Sequence, residues 1–194
     1  SYTNNAGITL PVIAVGVFNT QKKITHIFFE DGSTMNWIDG HAFYQLTNLK
    51  YFEVPSGLKY IGDYAFGSTT GLEYFILPEG LQYIGRMSFN QAFSSYEMGD
   101  IPYMIPGSLK TIGSRAYTFC FTKSHRVQFG SSDSPLTQFN YEAVRANLSN
   151  ASSWVFALNG DYFINNITIY ATSDLTTEQL NVFNAELTTL TFFF

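Results

Sequence analysis

Apolar positions return along this chain at a fixed interval. Leu49/Leu72, Pro55/Pro78, Gly57/Gly80, Leu58/Leu81, Ile61/Ile84, Gly62/Gly85 and Phe66/Phe89 are all 23 residues apart. A period between about 20 and 50 residues marks a solenoid or a propeller. Within one unit, Phe52 and Val54 alternate with Tyr51 and Glu53, the pattern of a strand with one buried face. Pro55 ends that strand because proline has no N–H to continue a ladder, and Gly57 permits a turn. Leu58 and Ile61 point inward again across a bend. Gly62 and Gly85 are read as a further turn, Ala65 as a close approach and Phe66 as the centre of the coil. Each coil then brings about six apolar side chains inward, worth about 1.5–3 kcal/mol each. Ordering the backbone costs about 1–2 kcal/mol per residue, so a lone coil cannot stand and the coils must stack.

Residues 1–23 do not follow the interval. Ile8, Leu10, Val12, Ile13, Val15, Val17 and Phe18 predict a strand or hairpin bent at Pro11 or Gly16. The segment reads as an N-terminal cap, or alternatively as a degenerate first repeat. A solenoid of about five coils is predicted over 24–148. Its first coil carries Ile24, Ile27 and Phe29, with Asp31-Gly32-Ser33 as the turn. The fourth coil follows at an offset of 28 (Pro78/Pro106, Ile84/Ile112), so an insertion falls near 94–100. The fifth is worn and retains Val127, Phe129, Leu136, Phe139 and Ala143, with an enlarged turn over 130–135. Residues 149–194 predict a last strand at Ile164, Ile167 and Ile169, then a capping helix and a final strand. The helix starts at Ser173 or Asp174 and carries Leu180, Phe183 and Leu187 at helical spacing.

The motif LxxΦxΦPxGLxxIGxxAF, with Φ apolar, runs from Leu49 to Phe66; its second half is carried by Leu58 to Phe66 and, with Tyr for the last Phe, by Leu109 to Tyr117. It resembles the BspA-like leucine-rich repeats over about 24–172. That family often has Cys three residues after its Phe, and Cys120 stands three after Tyr117. Leu46, Thr69 and Ala92 hold the same place in the other coils, which makes it an inward, small or apolar position. The resemblance implies a leucine-rich-repeat solenoid, mainly β, of stacked short strands and turns with a small C-terminal helix cap. It also implies a secreted or surface protein of bacteria or protozoa that adheres to host or neighbouring-cell proteins.

Composition narrows the function classes. Hydrophobic residues make up 45% and charged residues 13%, which excludes a disordered chain. The net charge of −5 and the lack of a basic run argue against nucleic acid as a partner. The longest apolar stretch, Ile8 to Phe18, is shorter than the roughly 20 residues that span a bilayer, so no membrane insertion is expected. A surface rich in Asn, Thr and Ser points to an extracellular or cell-surface location, although no leader or anchor is visible. The lone Cys120 forms no internal disulfide, and its repeat position reads as structural rather than nucleophilic. His26, His41 and His125 fall in different coils, so no metal site and no cofactor are expected. Asp133, Asp161 and Asp174 match no calcium loop, and no carboxylate pair is singled out for glycoside chemistry. Asn147, Asn150 and Asn166 head glycosylation sequons that an Asn- and Ser-rich chain yields by chance. The chain therefore reads as non-enzymatic.

The outward positions of the first strand are the candidate partner-binding residues. Stacking places His26, Phe28, Tyr51, Glu53, Tyr74, Ile76, Met104, Arg126 and Gln128 on one ladder. Exposed aromatics, Met and Arg are hot-spot chemistry for a protein or glycan ligand. The competing reading is that such side chains merely stack along a sheet face. The insertion Ser94 to Asp100 either lines that surface or only connects coils. A structural or self-associating module of a larger surface protein is the alternative function.

Overall fold

Successive coils of this chain lie side by side in the computed structural model, which describes residues 2–3, 9–10, 12–13, 16, 18–73, 75–94, 102–120, 125–137, 164–170 and 190–193. The strands in chain order are β1 (Tyr2–Thr3), β2 (Thr9–Leu10), β3 (Val12–Ile13), β4 (His26–Ile27), β5 (Trp37–Ile38), β6 (Tyr51–Phe52) and β7 (Tyr60–Ile61). They continue with β8 (Tyr83–Ile84), β9 (Tyr103–Ile105), β10 (Thr111–Ile112), β11 (His125–Phe129), β12 (Ile164–Tyr170) and β13 (Leu190–Phe193). β1 and β2 form an antiparallel pair, and among the described residues the other pairings are parallel.

Two strand ladders run along the stack. One holds β3, β5, β7, β8 and β10 in that order, with Ile38, Ile61, Ile84 and Ile112 in register and fully buried. The expected spine is therefore real. The other ladder pairs β4 with β6, and further along β9, β11, β12 and β13. The rung before the first full coil is already present: Val12–Ile13 pairs with Trp37–Ile38, and Phe18 stacks on Phe43 at 5.4 Å. Among the described residues there is no helix, and none long and apolar enough to cross a membrane. The expected C-terminal helix with Leu180, Phe183 and Leu187 lies outside the described residues, as do Phe139 and Ala143.

Turns rather than strands make a third ladder. The N–H groups of His41, Phe43 and Gln45 donate to the carbonyls of Asp63, Ala65 and Gly67 at 2.8–2.9 Å. Those of Tyr64, Phe66 and Ser68 donate onward to Arg86, Ser88 and Asn90. To aim these groups, His41, Tyr64, Met87 and Arg115 take left-handed backbone (φ 52–58°), as do Gln45, Ser68, Gln91 and Phe119 (φ 56–59°). Such a residue costs about 1–3 kcal/mol, and the bonds between coils offset it.

This ladder corrects the role expected for Gly62 and Gly85. Neither has a positive φ, so neither is there for a special turn. A Cβ on Gly62 would lie 2.6 Å from Gly40 N, and one on Gly85 2.6 Å from Asp63 N. The preceding coil occupies the space a side chain would need. Gly57 likewise is not left-handed, whereas Gly80 in the next coil is (φ 96°).

Aromatic rings fill the core in two interleaved columns. Phe43, Phe66, Phe89 and Tyr117 stack at 5.0–5.4 Å. Phe52 and Phe75 form the second column, and their rings meet the first edge-on at 4.9–5.2 Å. Edge-to-face packing adds about 0.5–1.5 kcal/mol per pair beyond burial, which accounts for the high Phe content. Leu46, Thr69, Ala92 and Cys120 are buried at the equivalent place in each coil.

Candidate functional site

Alternation along the first strand of each coil turns one residue inward and the next outward. Ile27, Phe52, Phe75, Tyr103 and Val127 face the core, so their neighbours must face solvent. Register places His26 opposite Tyr51, and Met104 opposite Gln128. The large apolar side chains left exposed among the described residues are Phe28 at 67%, Ile76 at 50% and Met104 at 37%. All three fall in one outward column. At its N-terminal end, His26, Phe28 and Tyr51 form a ring cluster with centroids 5.3–6.4 Å apart.

The polar members of this column are held internally. Glu53 Oε2 accepts the N–H of Phe29 at 2.8 Å, which ties coil one to coil two. Gln128 Nε2 donates to Gly130 O at 2.9 Å. Arg126 is exposed on the adjoining outward column. Tyr74 and the insertion at 95–100 lie outside the described residues.

The structure adds a second half-exposed aromatic column, absent from the candidates that sequence reasoning names. Trp37 stacks on Tyr60 at 3.6 Å, and Tyr60 on Tyr83 at 4.4 Å. The signal was present, because these residues precede the spine isoleucines at intervals of 23. Their ring faces cover one another, so the column serves the fold. Burial, then Tyr83 and Asp63, push the Tyr60 phenol up to about 12, and burial with Asp63 raises Tyr83. A tyrosine in the unfolded chain ionises near 10. The folded state thus holds this proton more tightly, and stability present below pH 10 is lost between about pH 10 and pH 12. Urea midpoints at pH 9 and pH 11 should fall less for Tyr60→Phe than for the parent.

On the turn ladder, His41 stacks on Tyr64 at 4.9 Å, and the Arg86 guanidinium lies 5.9 Å above the same ring. Among the described residues, no three His, Cys, Asp or Glu side chains converge as a metal would require. Among its described residues the outward column presents apolar contact area.

A family model for the BspA type leucine-rich repeat region matches this sequence in six copies over residues 11–145. The chain belongs to the BspA-type leucine-rich repeat family. A crystal structure of a leucine-rich repeat protein from Bacteroides ovatus superposes with a TM-score of 0.57 at 22% identity, over 82% of this chain. The chain spans 35% of that protein's length. No curated protein sequence matches it significantly. In this BspA-type chain, Cys120 is fully inside the core, and its thiol donates to Phe89 O at 2.7 Å. Burial pushes the thiol well above its ordinary range. Native protein at pH 8 should therefore resist a soluble disulfide reagent, and one thiol per chain should appear only on unfolding.

Proposed function

We propose that this BspA-type module is a non-enzymatic, secreted or cell-surface binding protein. It presents the outward face of its first strand ladder to a protein or glycan partner. The observation that carries this reading is the alignment of Phe28, Ile76 and Met104 in one exposed column. Single exposed apolar residues are ordinary, whereas three on one face, broken only by Glu53 between Phe28 and Ile76, point to an interaction surface. His26 borders it together with Tyr51 and Arg126, the last two of residue types enriched in binding hot spots. Glu53 and Gln128 stand in the same column, each tied to a backbone group. The surface location rests on what is typical of this family.

A screen against extracellular-matrix and cell-surface ligands tests it, run on the parent and on Phe28→Ser and Ile76→Ser. Each substitution should weaken a detected interaction by about 2 kcal/mol or more, the range of a hot-spot residue. Melting temperature should fall only slightly, because both side chains are largely exposed and Phe28 gives up only its ring contacts with His26 and Tyr51. Binding that ignores both substitutions places the interaction elsewhere.

A further inference from the structure

Resting on that surface assignment, we propose that the partner docks an amphipathic α-helix along the stack, with its apolar face over Phe28, Ile76 and Met104. Its basic edge lies over the acidic flank of the column.

The chemistry of the column favours protein over glycan. A sugar needs free polar groups to orient its hydroxyls, set around apolar contact area. Glu53 is engaged by the N–H of Phe29, and Gln128 by the carbonyl of Gly130. Each keeps some acceptor capacity, but the large side chains that the column exposes are apolar.

Spacing selects a helix over a strand. Neighbouring rungs lie about 4.8 Å apart, so Phe28 and Ile76, two coils apart, are separated by about 9.6 Å. Ile76 and Met104 belong to coils that pair directly through Ile84 and Ile112 in the isoleucine ladder, and are one rung apart. Along a helix, i to i+7 spans about 10.5 Å and i+7 to i+10 about 4.5 Å. Both intervals match. An extended peptide presents side chains on one face every 6.6–6.8 Å or so and falls out of phase with each.

Charge sets the orientation. Where the chain leaves the strands, Glu30, Asp31 and Glu79 are exposed, and the Lys59 ammonium close to Gly80 offsets part of this. On the entering side, Lys50 and Glu73 close on each other at 3.0 Å, and Lys22 and Lys23 remain exposed. A helix that is basic on one edge and acidic on the other is complementary to these flanks.

Two display libraries of 18-residue peptides test this, one on a helical scaffold and one on an extended, proline-punctuated scaffold. Both are selected on the parent and counter-selected on the Phe28→Ser/Ile76→Ser double variant, with a glycan array run in parallel. The expected result is patch-dependent binders from the helical library, apolar at i, i+7 and i+10, with Lys or Arg along one edge. Single peptides should lose at least tenfold in affinity on the double variant and weaken in high salt. Patch-dependent binders from the extended library, or patch-dependent glycans, would overturn the helix while leaving the surface assignment standing. No patch-dependent binder of any kind would remove both.

Discussion

Gly85→Ala is expected to destabilise the protein by about 3 kcal/mol, the upper range for forcing atoms into a packed interior. The new Cβ would stand 2.6 Å from both Asp63 N and Gly62 C, closer than real Cβ atoms come to any neighbour. Those are backbone atoms and cannot swing aside. The two coils would have to part, and the bonds that join them there are short: Gly85 N–H to Ile61 O at 2.8 Å, and Tyr64 N–H to Arg86 O at 2.9 Å. Gly32→Ala is the control. Gly32 has φ 78° with nothing within 4 Å of the position a Cβ would take, so it carries only the left-handed penalty of about 1 kcal/mol. Urea denaturation of the two variants checks the difference. Equal losses would mean that close approach is not what reserves Gly85.

Phe66→Ala is expected to cost about 3–5 kcal/mol, as for other buried Phe truncations. The ring contacts Phe43 below, Phe89 above, and Phe52 and Phe75 across the core. Its loss interrupts both ring columns in mid-stack. Repeat proteins hold together largely through interfaces between neighbouring repeats. The variant should therefore lose cooperativity as well as stability, seen as a shallower denaturant transition. Phe66→Leu, which keeps most of the volume, should cost less than about 1.5 kcal/mol and keep the slope. A Phe66→Ala transition as steep as the parent's would show that the coils melt as one unit without this contact.

Legibility differs from residue to residue, for physical reasons. The isoleucine spine and the outward column can be read because both depend on side-chain type at a repeated position. The turn ladder cannot. The first left-handed site of each turn is His41, Tyr64, Met87 and Arg115, and the second Gln45, Ser68, Gln91 and Phe119, residue types with no shared propensity for that backbone. Gly62 and Gly85 are visible in the sequence but ambiguous there, since a turn and a steric gap both call for Gly. Trp37, Tyr60 and Tyr83 keep the interval and are open to the same count that finds Ile61 and Ile84.

The 23-residue interval was enough to put Ile38, Ile61, Ile84 and Ile112 in one line, because a parallel stack repeats an environment wherever the chain repeats a residue type. The absence of room at Gly62 and the engagement of Glu53 were decided only by stacking. The same holds for the exposure of Phe28, Ile76 and Met104 together. Most of these depend on atoms of the neighbouring coil, a full repeat or more away along the chain, which folding alone brings within reach.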